Sequence, residues 1–190
     1  MFWKNPDYSP RIVAFFFFQR IEESIIFKMT KIHIVLHEPE IPQNTGNIAR
    51  TCAATGASLH LIKPLGFSIE ARDLKRAGLD YWDKLDVHVY ENVQDFYAHN
   101  PGAEVYYFTK KGAHVYTDVT YPNEVYLMFG KETKGIPEEL LCQHLDRCLR
   151  MPMREGLRCL NLSNAVAIAT YEVLRQHHFE DLALAGKLPE

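Results

Sequence analysis

The stretch RCLRMPMREGLRCLNLSNAVAIA, residues 147–169, changes character three times within 23 residues. It begins with a short apolar segment around residues 149–153. The sequence Arg154-Glu155-Gly156 then predicts a turn, because glycine permits backbone conformations that other residues resist. Asn161 opens a helical run to about Gln176, with Asn161 or Ser163 as its N-cap. This pattern is typical of a binding loop set into a scaffold, although an ordinary capped core helix would also produce it.

A second stretch, VYLMFGKETKGIP at residues 125–137, has the same kind of organisation. A buried strand runs into a loop that contains Gly130 and Gly135, and a helix is predicted over residues 138–144. Strand, glycine loop and helix in this order are typical of the ligand-binding edge of an α/β protein. The two glycines have Walker A spacing, but Ile136-Pro137 replaces the required Lys-Ser/Thr pair, and no G-x-G-x-x-G motif is present. The sequence therefore supports neither a P-loop nor a dinucleotide site.

Strand and helix patterns alternate along the rest of the chain, which predicts an α/β fold around a mainly parallel sheet. Lys31–Leu36 reads as a strand, Glu38–Asn44 as a loop and Asn44–Asn47 as the start of a helix. Further strands are predicted at 57–62, 87–90 and 104–109, a short helix and a turn at 70–82, and a short helix at 93–98. Asn44 and Arg50 are not on one helical face, so both can serve one site only if Asn44 still lies in the turn.

The composition is that of one globular domain of ordinary size. Of the 190 residues, 47% are hydrophobic and 24% charged, and the net charge of -3 excludes a strong overall positive field. Any RNA-binding surface must therefore be local. Two basic clusters offer such a surface, although solvated faces produce similar clusters: Arg147, Arg150, Arg154 and Arg158, and Arg72, Lys75 and Arg76.

Residues 1–28 differ from the remainder. Ile12–Phe18 is apolar but too short to cross a bilayer, and no cleavage site for a signal peptide follows it. We interpret 1–28 as an upstream extension, 29–178 as the domain and 179–190 as a C-terminal tail. The four cysteines show no C-x-x-C pairing, which favours reduced thiols and a cytoplasmic location. The histidines lack metal-ligand spacing, so no metal is expected, and no membrane span is predicted.

Three motifs together resemble the SPOUT class of RNA methyltransferases and, within it, the YibK/TrmL group of tRNA 2′-O-ribose methyltransferases. They are NTGNIAR at 44–50, LMFGKETKGIP at 127–137 and RCLNLSNA at 158–165. Each motif is modest alone, but their order and spacing are specific. The resemblance covers residues 31–178, and the opening EPEIPQN at 38–44 is similar to the compact single-domain members.

This resemblance implies a deep C-terminal trefoil knot, S-adenosylmethionine as cofactor, a homodimer, and 2′-O-methylation of the wobble nucleotide, position 34, in a tRNA anticodon loop. The base at position 34 would be cytidine or a modified uridine. By the family's motifs, the catalytic positions are Asn44, Arg50, Glu132 and Asn161. The cofactor positions are Phe108, Gly130, Leu149, Met151, Cys159 and Leu160. Cys159 departs from the serine often found there, and a thiol is a weak hydrogen-bond donor.

The residue types suit this chemistry. A sulfonium methyl group needs little activation, so catalysis consists mainly of in-line positioning and removal of the hydroxyl proton. Arg50 stays protonated in proteins, so we expect it to bind a phosphate and stabilise the developing alkoxide, while phosphate or water takes the proton. A surface ion pair is the structural alternative for Arg50. Methylation of a base nitrogen and RNA binding without catalysis remain alternative functions.

Overall fold

A computed structural model describes residues 29–68, 85–157 and 159–188. The extension 1–28, the helix predicted at 70–82, the basic cluster Arg72–Arg76 and Arg158 all lie outside the described residues. Residues 179–188 belong partly to the body, because Phe179 and Leu182 pack against its core. Thr30 also donates a hydrogen bond to Glu180 at 3.4 Å.

Seven strands form one sheet in which every described pair of strands is parallel, in the order β3-β2-β1-β6-β4-β7-β5. The predicted α/β class with a parallel sheet is therefore confirmed. The two-residue strand β5 was not predicted, because two residues carry no periodic pattern. The strands are β1 (Lys31–His37), β2 (Ser58–Ile62), β3 (Val87–Tyr90), β4 (Val105–Phe108), β5 (His114–Val115), β6 (Glu124–Gly130) and β7 (Cys148–Arg150).

Among the described residues, four α-helices flank the sheet: α1 (Pro42–Thr55), α2 (Val93–His99), α3 (Glu138–Cys142) and α4 (Leu162–Gln176). Helix α1 begins two residues before the predicted start at Asn44, which shortens the predicted 38–44 loop. Proline explains the earlier start, since its fixed φ suits the first helical position and its missing N–H is not needed there. Asn44 therefore lies in the first turn of α1 rather than in the loop.

The sheet separates two apolar layers. Helices α1 and α4 pack together on one face, where Ile48 and Val166 join the core with Ile34 and Leu127. Helix α2 covers the other face through Phe96. Because side chains alternate along a strand, each central strand is buried on both faces, as parallel strands usually are.

The strand order changes direction between β1 and β6. From β1 the chain continues to β2 on one side, and from β6 it continues to β7 on the other side. Loops that leave neighbouring parallel strands in opposite directions open a crevice at the carboxyl ends of those strands, where α/β proteins bind ligands. Residues 38–41 and 131–135 are the two loops that follow β1 and β6.

A chain of polar rings lies on the face of the sheet that α2 covers, where the ring of His60 meets that of Phe96 edge to face. His60 is 2% exposed. Its ring nitrogens lie 3.0 Å from His33 Nδ1 and 2.9 Å from the Tyr90 hydroxyl. Burial, with smaller contributions from His33 and His88, lowers the pKa of His60 to about 3. His60 is therefore neutral in the folded protein at neutral pH.

We expect the free energy of unfolding to fall as the pH drops from 6.5 toward 3. The unfolded chain binds a proton at His60 in this range and the folded chain does not, which lowers stability by up to ~1.4 kcal/mol per pH unit. Urea denaturation across this range measures the slope. A His60→Gln variant should show a shallower slope, whereas the exposed control His99→Gln should match the wild type. Equal slopes in all three proteins would contradict the assignment to His60.

Candidate active site

Three of the four predicted catalytic residues are joined by direct hydrogen bonds. Asn161 Nδ2 donates to Asn44 Oδ1 at 2.9 Å, and Asn44 Nδ2 donates to Glu132 Oε1 at 2.9 Å. At the other end, Asn161 Oδ1 accepts from the backbone N–H and the hydroxyl of Ser163, at 3.0 and 2.7 Å. The three sequence motifs therefore meet at one point, at the carboxyl end of the sheet.

This chain of hydrogen bonds fixes how both amides are oriented. An ionised carboxylate can only accept, so Asn44 must present its NH₂ group to Glu132 and its oxygen to Asn161. Asn161 must then present its own NH₂ group to Asn44 and its oxygen to Ser163. Asn161, and not Ser163, is the N-cap of α4, and its side chain is exposed. Asn44 is buried, so Asn161 is the end of the chain that a ligand can reach.

Glu132 serves as the cap of α1 from outside the helix. Ile41 provides no side-chain cap, and the first turn of α1 contains no acidic residue. Glu132 Oε2 accepts from the backbone N–H of Glu40 at 2.9 Å, and Oε1 accepts from that of Ile41 at 3.3 Å. A carboxylate in this place also interacts favourably with the positive end of the helix dipole. Because both oxygens hold N–H groups, Glu132 is positioned to orient Asn44 rather than to remove a proton.

Arg50 is exposed and lies further along α1. Arg50 lies six positions after Asn44. This offset corresponds to about 9 Å along the helix axis and about 240° around it. From the sequence, Asn44 and Arg50 could serve one site only if Asn44 lay in the turn before the helix. In the structure, Asn44 lies within α1. One ligand can contact both Arg50 and the Asn44–Asn161 pair only if it extends along α1, as a nucleotide with its phosphates does.

The predicted cofactor residues gather at the ends of three adjacent strands. Phe108 ends β4 and pairs with Phe129 of β6 and with Leu149 of β7. The rings of Phe108 and Phe129 stack with their centroids 4.6 Å apart. Met151 follows β7 and packs against the same core layer. These residues form an apolar wall beside the start of α4.

The remaining cofactor positions differ in exposure. Gly130 is followed by a tight turn, and a Cβ atom there would lie 2.0 Å from the carbonyl carbon of Gly135, so a larger residue cannot fit. Leu149 is fully buried, so its side chain supports the wall from behind. Cys159 and Leu160 are exposed in the segment before α4 and are accessible to a ligand.

Part of the predicted arginine cluster is used within the protein. Arg150 donates a hydrogen bond to the carbonyl of Lys110, and Arg147 lies 3.9 Å from Asp146. Arg154 is exposed in the turn after β7. Of the described members of this cluster, Arg154 is therefore the one best placed to meet an RNA phosphate.

The sequence reasoning overlooked a set of contacts that join the two loops of the crevice. Glu40 accepts from the backbone N–H and the hydroxyl of Thr133, at 3.1 and 3.0 Å. Glu38 forms an ion pair with Lys131, and this hydrogen-bonded carboxylate raises the pKa of the lysine ammonium. The two partners of each pair lie 93 positions apart in the sequence. The glutamates at positions 38 and 40 were the only local sign of these contacts.

Comparison with known proteins agrees with this arrangement. Residues 31–171, which include all four predicted catalytic positions, match the SpoU rRNA methylase family. The chain belongs to the SpoU methylase family. The predicted membership of the SPOUT class is thereby confirmed, and the chain is a methyltransferase.

Individual relatives of this SpoU methylase are also close. A Geobacillus stearothermophilus protein, provisionally named a tRNA (cytidine(34)-2′-O)-methyltransferase, is 52% identical over 80% of this chain and 99% of its own. The crystal structure of a Bacillus anthracis protein assigned as an RNA methyltransferase is 49% identical, with a TM-score of 0.78, over 80% of this chain and 98% of that one. A structure described as giving insight into 2-OH methylation of C/U34 on tRNA is 43% identical, with a TM-score of 0.74, over 80% and 99%.

Among residues 29–68, 85–157 and 159–188, no helix is both long and apolar enough to span a membrane. Within the same ranges, no three or more His, Cys, Asp or Glu side chains are grouped so that they could hold a metal ion.

Proposed function

We propose that this SpoU methylase transfers the methyl group of S-adenosylmethionine to the 2′-hydroxyl of the wobble nucleotide, position 34, in a tRNA anticodon loop. The observation that carries the proposal is the hydrogen-bonded chain from Glu132 through Asn44 to Asn161, which unites the three motifs at the ligand edge of the sheet. The names of the relatives at about half identity agree with the activity predicted from the sequence.

The residues present fit the cofactor. Phe108 and Met151 supply an apolar surface of the kind that an adenine ring packs against. The exposed segment at Cys159 and Leu160 follows Met151 in the chain and precedes α4. Gly130 and Gly135 let two stretches of backbone approach closely at the end of β6. When bound, S-adenosylmethionine supplies an electrophilic methyl group.

Asn161 is the residue best placed to orient the ribose. One N–H of its amide is used on Asn44, and the other can donate to a ribose or phosphate oxygen. The amide is held at both ends, by Asn44 and Ser163, so little rotational freedom remains to be lost when the substrate binds. Such fixed donors favour the transition state because they need no reorganisation as negative charge develops on the attacking oxygen.

Arg50 binds the RNA phosphate in this proposal and stabilises the developing alkoxide. Guanidinium groups stay protonated in proteins, so Arg50 is not assigned the role of general base. The proton of the hydroxyl passes to a phosphate oxygen or to water. Unstacked nucleotides in an anticodon loop expose the ribose that this arrangement requires, whereas duplex RNA is recognised mainly by shape.

We further propose that the protein is a homodimer with shared sites. Ile168 and Tyr171 are 40% and 49% exposed on one face of α4, three residues apart, and form an apolar surface that a second copy of the chain could cover. A two-fold contact would also bring the arginines of two chains together. Sedimentation velocity measures this state, and a monomer at micromolar concentration would contradict it.

The expected C-terminal trefoil knot is also a proposal. Strand β7 lies in the sheet between β4 and β5, which both precede it in the chain. The C-terminal part of the chain therefore enters a space that is bordered by residues 109–123. A Cβ atom on Gly112 would lie 2.6 Å from the backbone of Leu149, so the bordering segment passes very close to β7. Gln176 of α4 bonds to Val119 and Tyr121 in the same segment. A crystal structure in which β7 enters from outside this segment would contradict the knot.

Nucleoside mass spectrometry tests the function. We expect 2′-O-methylation at position 34 to disappear from the tRNA of cells that lack the gene and to return when the wild-type protein is supplied. Because the proposed substrate is tRNA, we also propose a cytoplasmic location. If position 34 is unchanged and another ribose or a base loses its methyl group, the substrate is wrong. If no methyl group in tRNA changes, the substrate of the methyltransferase is another RNA.

A further inference from the structure

The two loops of the crevice are fastened to each other beyond the contacts of Glu132. We call residues 38–41 the helix-entry loop, because they lead directly into α1, and residues 131–135 the cofactor loop, because they follow Gly130. The carboxylate of Glu40 holds both the N–H and the hydroxyl of Thr133. The ion pair between Glu38 and Lys131 joins the same loops at their other end.

Each loop is also held from behind. Gly66 donates its N–H to the carbonyl of Pro39 at 2.9 Å, and a Cβ atom on Gly66 would lie 2.4 Å from the backbone oxygen of Glu40. The cofactor loop is closed by a hydrogen bond of 2.8 Å from the N–H of Gly135 to the carbonyl of Lys131. Neither loop has room to move away independently, so a displacement of one is transmitted to the other.

We propose that Glu40 and Thr133, supported by the Glu38–Lys131 ion pair, are positioning residues that couple cofactor binding to tRNA binding. This inference rests on the proposed function, because it takes S-adenosylmethionine to lie against the cofactor loop. Fixing the cofactor loop fixes the helix-entry loop through these contacts. The first turn of α1 is then held in place, and Asn44 holds the amide of Asn161 toward the ribose.

Loss of the contact between Glu40 and Thr133 should weaken the coupling between the two binding sites without unfolding the protein. Thr133 is exposed, and exposed hydrogen bonds and ion pairs contribute little to global stability. Glu132 caps α1 independently of Thr133, so loss of the threonine hydroxyl leaves the helix cap intact. The consequence of losing it is a looser connection between two binding sites rather than an unfolded protein.

The experiment measures tRNA affinity with and without S-adenosylhomocysteine, the demethylated product of the cofactor. In the wild type we expect saturating S-adenosylhomocysteine to tighten tRNA binding about 5-fold or more, and tRNA to tighten S-adenosylhomocysteine binding by the same factor, as linkage requires. In Thr133→Val the factor should fall measurably below the wild-type value, because only the backbone N–H of Thr133 then bonds to Glu40, while Thr133→Ser, which keeps the hydroxyl, should retain it. The control Thr117→Val removes another exposed hydroxyl that donates to a carboxylate, and it should behave as the wild type.

The outcomes are distinguishable. Full coupling in Thr133→Val, or its absence from a wild type that methylates position 34, would overturn the role of these residues and leave the function standing. A wild type that transfers no methyl group to position 34 would instead overturn the proposed function. Thermal unfolding of each variant shows whether it is folded, and Glu40→Gln, which weakens the same contact from the other side, should reproduce the loss of coupling if Thr133→Val is unstable.

Discussion

Replacing Asn44 with aspartate is expected to lower kcat by about 100-fold or more and to destabilise the fold. The new carboxylate would stand where an amide now donates to Glu132 across 2.9 Å. Two carboxylates cannot easily both stay ionised at that distance when one of them is buried, so one must take a proton or move away. The hydrogen bond from Asn161 would then lose the fixed partner that orients it.

Methyl transfer to tRNA under steady-state conditions and urea denaturation measure the two effects. Asn123→Asp is the control for the substitution, because Asn123 is exposed just before the amino end of β6, at the opposite end of that strand from the crevice. It should leave kcat nearly unchanged. Because a pair of carboxylates can share one proton, part of the lost activity in Asn44→Asp should return as the pH is lowered. A variant that retains wild-type kcat would show that the orientation of the Asn44 amide is irrelevant to catalysis.

Replacing Arg50 with lysine is expected to lower kcat/KM by about 100-fold, almost as much as replacement with alanine. Lysine keeps the positive charge but cannot hold two phosphate oxygens with a planar pair of N–H groups. If Arg50 contributed only a positive field, Arg50→Lys would retain most of the activity. Arg175→Lys makes the same change at an exposed arginine on α4 and is the control for the substitution itself.

An Arg50 variant can also be used to test whether the active sites are shared between protomers. If Arg50 of one protomer serves the site of its partner, mixing Arg50→Ala chains with Asn161→Ala chains should restore activity, because some hybrid sites contain both intact residues. With equal mixing, about half the protomers are in hybrid dimers, and one of the two sites in each is complete. Activity no greater than that of the separate variants would show that each protomer contains its whole site.

The choice between the two possible caps of α4 shows why the sequence left some positions open. Asn161 and Ser163 are both good N-cap residues, and local preference does not separate them. The structure selects Asn161 because its side chain is bonded at both ends, to Ser163 and to Asn44, which is 117 residues away in sequence. The start of α1 differs from the prediction for a related reason. Its cap is Glu132, which comes from another motif and leaves no signal near Pro42.

The sequence by itself determined the α/β class, the parallel sheet, the family and the positions of the three motifs, because periodicity, glycine loops and motif spacing are local properties of the chain. The tertiary structure alone decided that Glu132 caps α1, that Asn44 and Asn161 orient each other, and that Glu40 holds Thr133. These contacts join residues far apart in the chain. They form only when the parallel strands β1 and β6 bring their carboxyl ends side by side, and no local preference encodes that proximity.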